Sequence, residues 1–318
     1  MSGDLLEAVR AGGLLAPGGR VVVLLSGGRD SVCLLDLAVR IAGPGAVTAL
    51  HCDYGLRAES AADAAHCAAL CEALDVRLHV HRPPRPPGAG NLQAWAREVR
   101  YAEAARLAAG GDVAAGHTAS DQVETVLYRL AASPGRRALL GMAPRDGALI
   151  RPLLEVTREQ TAAHCRARGL AWRDDASNAS PAFARNRLRA GLLPAMRELH
   201  PAAEANVLRT LAILRDEAVV LDAAVATALL RAGDPPAVAV LAALPPALAR
   251  LAVQALADRA ATGGAAPAIG HRTAEVLELR EGGALDVGGG LRATVRGGAL
   301  RFQGSEGPAA PHPRPAPS

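Results

Sequence analysis

One junction restricts the fold of this chain more than any other. Residues 21–25 read Val-Val-Val-Leu-Leu, and the next six read Ser-Gly-Gly-Arg-Asp-Ser before a helical pattern begins. A run without polar side chains forms a strand covered on both faces. Consecutive small residues then turn the chain, and the helix that follows packs back across the strand, which is the opening half of a βαβ unit. The pattern continues: strands over 46–52, 76–80 and 112–115 alternate with helices over 31–41, 58–74, 92–108 and 121–130, with a Pro/Gly loop at 83–90. This alternation predicts an α/β fold, a parallel sheet with helices on both faces. Such sheets place their sites outside the carboxyl ends of the strands. Ser26, Asp53 and His117 each follow an expected strand, so they can share one crevice.

A helix-rich stretch is expected over 155–199. From Pro201 the composition changes to Ala/Leu helices almost without candidate chemistry, and 284–302 reads as short strands between glycine turns. The expected organisation is a domain over 1–200 that carries the chemistry, a smaller helix-rich domain with a few short strands over 201–303, and a disordered Pro/Ala tail over 304–318. Half of the residues are hydrophobic but only 2% are aromatic, so Ala, Leu and Val must fill the core. No apolar run is long enough to cross a bilayer, and the start, with Asp4 and Glu7, lacks a signal-peptide core. The reading is a soluble, cytoplasmic protein. Five scattered cysteines, none spaced Cys-x-x-Cys, suit reduced thiols and leave no zinc-ribbon or thioredoxin-like motif. His66, Cys67 and Cys71 share one helical face, where a packed apolar surface outweighs a metal site because no fourth ligand is nearby.

All 35 basic residues are Arg. A phosphate grip must therefore come from guanidinium forks, backbone N–H groups or metal. A net charge of +4 and a pI near 9.1 permit a nucleic-acid partner without requiring one.

The loop at 26–31 is neither a Walker loop, which needs Lys, nor Gly-x-Gly-x-x-Gly. Successive N–H groups in such a turn can form an anion nest, and the helix start adds partial positive charge. Ser26 and Ser31 can donate hydroxyl bonds to phosphate. Asp30 would repel phosphate directly, so its natural role is to hold a bridging Mg²⁺. The competing reading is a tight turn whose Ser or Asp caps a helix.

The hexapeptide closely resembles the Ser-Gly-Gly-x-Asp-Ser loop of the PP-loop ATP pyrophosphatases. That resemblance implies an adenine nucleotide alpha-hydrolase-like fold, with ATP cleaved between its α and β phosphates. Three further stretches narrow it. "HCDYGLRAESAADAAHCAALC" (51–71) resembles the His-x-x-His-Gly-Leu-Arg segment of tRNA-modifying members, with Tyr54 in the second His place. "NLQAWAREVRYAEAARLA" (91–108) resembles the Asn-Leu-Glu-x-x-Ala-Arg-x-x-Arg-Tyr helix of the tRNA(Ile)-lysidine synthetases, with Gln93 for Glu. "GHTASDQVETVLYRL" (116–130) resembles their Ala-His-x-x-Asp-Asp-Gln-x-Glu-Thr motif, with Ser120 for the first Asp. "IRPLLEVTREQ", "WRDDASNAS" and "FARNRLR" follow in the family's order, so the resemblance covers roughly residues 20 to 195.

What the resemblance implies is a carbon–nitrogen ligase that adenylates C2 of the first anticodon cytidine in a tRNA(Ile) with anticodon CAU, then attaches free L-lysine. Ser26, Gly27, Gly28, Arg29, Asp30 and Ser31 would hold the leaving pyrophosphate of ATP, with Mg²⁺ on Asp30. Asp121 would hold or deprotonate the lysine ammonium, and Arg97 and His117 would orient adenylate or lysine. Arg57, Arg100, Arg185, Arg187 and Arg189 are the candidate contacts to RNA or substrate phosphates. Glu124 reads as a helix-start carboxylate matched to the dipole. Tyr54, Trp95, Tyr101 and Trp172 are the candidate stacking rings. No membrane partner is expected, and a homodimer is compatible. The nearest alternative is a tRNA 2-thiolating PP-loop enzyme, which usually needs paired cysteines or an iron–sulfur cluster. A non-catalytic nucleotide- or RNA-binding module is the alternative of another class, favoured only by Ser120.

Overall fold

The computed structural model describes residues 2–55, 60–84, 92–132, 135–173, 184–261 and 266–304, without the side chains of Ser2, Gln93, Arg137 and Arg185. The expected tail is represented only by Gly304, the last residue of a strand; 305–318 lie outside the described residues. Six strands form one sheet: β1 (Val21–Leu24), β2 (Val47–Cys52), β3 (Arg77–His81), β4 (Asp112–Ala114), β5 (Arg145–Asp146) and β6 (Leu149–Ile150), in the order β3-β2-β1-β4-β6-β5. Every pairing is parallel except β5 with β6. The helices are α1 (Ser2–Ala11), α2 (Arg29–Ala42), α3 (Ser60–Ala73), α4 (Leu92–Ala108), α5 (Ala119–Ala132), α6 (Arg136–Leu139), α7 (Arg158–Ala167), α8 (Ala184–Arg187) and α9 (Leu193–Leu199), with a π-helical turn at Leu188–Leu192 between the last two.

Alternation along β1 divides the core. Val21 and Val23 join Val32, Ile41, Cys67, Leu70 and Cys71 on one face. Val22 and Leu24 join Leu50, Val113, Ala104 and Ala108 on the other, under α4. A period of 2.0 sends successive side chains to opposite faces, so a strand wholly apolar in sequence is wholly covered in the fold. Cys67 and Cys71 are buried in the first cluster, where burial pushes the Cys67 thiol up to about 12. This agrees with the packed-face reading of α3.

Strand order explains where the site falls. From β1 the chain moves outward to β2 and β3, then returns to the opposite side of β1 as β4. The loops after β1 and β4 therefore flank the point where the order reverses, and that point is where open α/β sheets hold ligands.

By its contacts the chain divides into two compact units, one of Met1–Arg129 with Leu140–Arg209, the other of Leu130–Leu139 with residues from Thr210 on. The second unit contains α10 (Ala203–Ala232) from Thr210 onward, α11 (Val238–Ala242), α12 (Pro246–Ala260) and α13 (Thr273–Leu277), with an antiparallel sheet of β7 (Ala284–Gly288), β8 (Leu291–Arg296) and β9 (Ala299–Gly304). Val225, Leu229, Leu241, Val253, Val276, Leu291, Val295 and Leu300 make its own core. Among the described residues no helix is long and apolar enough to cross a membrane.

Candidate active site

The helix after β1 begins two residues before the expected start. Gly28 caps it with extended backbone (φ −77°, ψ 157°), and the Val32 N–H bonds the Gly28 carbonyl at 3.0 Å. Arg29, Asp30 and Ser31 thus occupy the first helical turn and not the loop. Gly27 has φ +83°, which glycine adopts without strain. The loop is closed by its own hydroxyls: the Ser26 N–H donates to Ser31 Oγ (3.2 Å), the Gly28 N–H to Ser26 Oγ (3.3 Å), and Ser31 Oγ to the Gly28 carbonyl (2.8 Å). Two backbone donors of the expected nest, the Ser26 and Gly28 N–H groups, are thus occupied by serine hydroxyls. Gly116, after β4, is fixed by proximity, since a Cβ there would lie 3.1 Å from the Asp30 carbonyl carbon and oxygen. The loop after β4 thus touches the first turn of α2 backbone to backbone.

Asp30 is already engaged. The Thr161 hydroxyl donates to its Oδ1 at 2.6 Å, Arg29 Nε lies 3.0 Å from the same oxygen, and Arg158 Nε lies 4.0 Å from Oδ2. Thr161 and Arg158 belong to α7, whose start is set by a capping box of Thr157 with Gln160. No metal-ligand group of three forms around Asp30 among the described residues. Its donor set suits Mg²⁺ only as one carboxylate completing a shell of phosphate oxygens and water.

The main surprise lies at the start of α5. Asp121 accepts from the Thr118 N–H (2.8 Å) and hydroxyl (2.9 Å) through Oδ2, as a helix-start carboxylate should. Its Oδ1 faces outward to Arg158 Nη2 (3.2 Å) and Arg189 Nη2 (3.4 Å). Burial alone would raise the Asp121 carboxyl, but the Thr118 bonds, Arg158 and the nearby His117 outweigh it and hold it below the ordinary range. Glu124, one turn on, is not a surface carboxylate complementing a dipole. Its side chain is 1% exposed, with Oε1 bonded to Arg189 Nε (2.5 Å) and near Arg158 Nη2 (3.4 Å). Its Oε2 is buried without a hydrogen-bond partner. Burial would lower the Arg189 guanidinium, yet Glu124 and Asp121 more than reverse that. A buried acceptor left unpaired costs on the order of 1–3 kcal/mol, so this oxygen is a place that a donor would fill.

Other expected residues lie apart from this cluster or outside the description. Arg97 is exposed and stacks over the Tyr101 ring (4.7 Å), with Arg100 at 5.6 Å, on the α4 face of the sheet. Tyr54 meets Trp95 edge to face at 5.6 Å and donates to the Ala96 carbonyl, so the loop after β2 rests on α4. Asp53 is taken up by Arg82 (3.1 Å) and the Gly55 N–H (3.0 Å). Trp172 lies 6.0 Å from Arg166. Arg187 is exposed, whereas Arg189 is committed to carboxylates. Arg57 and the Arg185 side chain lie outside the described residues. Glu124, Arg158 and Thr161 were missed as partners because 34 to 131 residues separate them from the groups they meet.

A PP-loop domain family profile matches residues 5–196. The chain is 40% identical over 208 residues to a tRNA(Ile)-lysidine synthase of Pseudomonas fluorescens, covering 63% of this chain and 47% of that one. It is 38% identical over 325 residues to a relative of the same name in Symbiobacterium thermophilum, covering 93% and 67%. Another, in Salinispora tropica, is 40% identical over 310 residues, covering 89% and 90%. The chain thus spans about half of the Pseudomonas relative and nearly all of the Salinispora one. Among solved structures, the U34-tRNA thiolase NcsA of Methanococcus maripaludis superimposes with a TM-score of 0.54 at 15% identity, over 67% of this chain and 78% of that one, a likeness of fold.

Proposed function

The chain belongs to the PP-loop domain family and, within it, to the tRNA(Ile)-lysidine synthases, and from that premise we propose that it uses ATP to join free L-lysine to C2 of the first anticodon cytidine of a CAU-bearing isoleucine tRNA. The C2 oxygen attacks the α-phosphate and pyrophosphate leaves. The ε-amine of lysine then attacks C2, and AMP departs with the oxygen. Activation is needed because the C2 oxygen alone is a poor leaving group.

The observation that carries the reading is the half-satisfied cluster at the switch point. Two carboxylates, Asp121 and Glu124, and two guanidiniums, Arg158 and Arg189, meet where an open α/β sheet holds its ligand. A free amino acid brings ammonium groups and a carboxylate, which such a set can pair, and Glu124 Oε2 is a buried acceptor awaiting a donor. Asp121, held ionised, would also pair with the ε-ammonium, which must lose a proton before it attacks. In the loop, the Ser26 and Gly28 N–H groups, the two serine hydroxyls and the first turn of α2 would hold pyrophosphate. Mg²⁺, held by Asp30 with phosphate oxygens, would neutralise phosphate charge. His117, Arg97 and Arg100 would orient adenylate or anticodon. The exposed Arg187 suits RNA phosphate, with Tyr54 and Trp95 available to stack a splayed base.

A single-turnover assay tests this. With ATP, lysine and isoleucine tRNA of anticodon CAU, AMP-linked tRNA should form and then convert to lysidine. Methionine tRNA with the same anticodon should not react. ATP cleavage that is indifferent to lysine and to tRNA would overturn the reading.

A further inference from the structure

Away from this crevice, the edge strand β3 and helix α4 converge two imidazoles and a carboxylate. His79 and His81 stand two apart on β3 and so share a face. Their rings lie stacked, with centroids 6.4 Å apart. Leu78, between Arg77 and His79, packs into the core on the other face. From α4, Glu103 brings Oε1 to 2.8 Å from His79 Nε2 and 3.7 Å from His81 Nδ1. One ligand atom from each residue lies within 4.8 Å of the other two, the one such group among the described residues.

An ordinary ion pair does not need this arrangement. One imidazolium would satisfy Glu103, which already has a cation: Arg106 donates Nε to Oε2 (2.8 Å) and Nη2 to Oε1 (2.7 Å). Arg106 holds the Glu103 carboxyl down at about 2, so it is an anion at any physiological pH. An N–H of His79 spans the 2.8 Å to Oε1, and a divalent cation would take that hydrogen's place once the ring proton sits on the other nitrogen. Two imidazoles and a carboxylate are the protein ligands of a zinc site that keeps its fourth position open. Access is available, since the side chains of His79, His81 and Glu103 are 36%, 28% and 11% exposed. Arg106 could keep its bond to Oε2 while Oε1 ligates, the kind of outer support that orients metal ligands.

We propose that His79, His81 and Glu103 form a binding site for a borderline divalent cation of the Zn²⁺ class, with a fourth position open to water or a small anion. The site is distinct from the Asp30 carboxylate, which among the described residues has no imidazole grouped with it and offers a cation oxygen alone. An occupied site would also tie α4 to the sheet edge.

The test is calorimetric titration of the full chain, freed of metal, with Zn²⁺, alongside melting curves with and without the ion. Wild type should bind about one equivalent at this site and melt at higher temperature with Zn²⁺. The double variant His79→Gln/His81→Gln should lose that equivalent, and Glu103→Gln should bind at least tenfold more weakly. Melting without metal shows that both variants fold. Equal binding in the double variant would put the ion elsewhere, on the cysteines for instance. No binding by wild type would leave only an ion-paired couple. Either result overturns the proposal.

Discussion

The two ends of α7 hold similar chemistry put to opposite use. At its last turn His164 Nε2 lies 2.8 Å from Asp36 Oδ2, and Arg168, just beyond, reaches Asp36 Oδ1 at 3.2 Å. Both Asp36 and His164 are almost wholly buried, and both carboxylate oxygens have partners. At its first turn Arg158 faces Asp30, Asp121 and Glu124 in a cluster whose arginines remain 27% exposed and where Glu124 Oε2 has no partner. The two aspartates answered by α7, Asp30 and Asp36, lie on α2, so the same helix pair is clamped at both ends. A carboxylate satisfied on both oxygens is a fastener. One left half-satisfied beside a loop is a receptor.

The largest effect should come from breaking the closed end. Asp36→Ala leaves Arg168 unpaired and His164 without its acceptor. The cost should be about 3 kcal/mol, the low end for breaking a buried pair because Arg168 is half-exposed. Urea denaturation measures it, and ATP turnover per folded molecule should stay near wild type. A collapse of turnover at full stability would erase the distinction between the two ends.

Next comes the open end. Glu124→Gln and Asp121→Asn should leave the melting temperature close to wild type but slow conversion of adenylated tRNA to lysidine. Loss of a charged hydrogen bond, roughly 1.5–3 kcal/mol, corresponds to about one to two decades in rate. Following AMP-linked tRNA and lysidine separately checks it. Equal slowing of both steps would reassign these carboxylates to adenylation.

A smaller effect should follow Gly116→Ala. The added methyl meets Asp30 backbone at 3.1 Å, and overpacking of that kind costs about 1–2 kcal/mol. It should displace the first turn of α2 and raise the KM for ATP, leaving the Asp36 end untouched. An unaltered KM would mean that the loop after β4 and the first turn of α2 move independently.

The smallest effect is a pH dependence. Burial would raise the Asp36 carboxyl, but His164 and Arg168 overcome it and hold it below the ordinary value. The ionised Asp36 carboxylate therefore contributes stability above its unfolded value, about 3.9, that is lost as pH falls through the folded value. The stability gap between wild type and Asp36→Asn should narrow as pH falls below about pH 4. A gap that widened in acid would contradict the ion pair.

The contrast also marks how far the sequence could be read. The switch from β1 to α2 was legible because apolar run, small turn and helical spacing are all local signals, and α4 matches its expected span of 92–108. The strands β5 and β6 were not, since two residues apiece carry no period. Asp30 and Asp121 stand out in sequence as candidate site residues, but their surroundings do not. Arg158 lies within a stretch recognised as family-like, yet only folding brings it beside residues 37 and 34 positions earlier. Glu124 misled because a carboxylate in the second turn of a helix looks alike in sequence whether water or an arginine faces it. The paired histidines of β3 went unremarked because alternation along a strand says which face they share and nothing of the glutamate opposite.

The π-helical turn at Leu188–Leu192 can be regarded as one surplus residue stored inside a helix. Near the start of that turn Arg189 meets Glu124, and just after it Leu193 is buried. Removing Gly191 would restore a regular helix and rotate one side against the other by about 100°. The chain could then keep the anchor or the guanidinium in place, but not both. Deletions here should therefore be far less tolerated than substitutions, although Gly191 itself is exposed and contacts nothing within 4 Å of where a Cβ would sit.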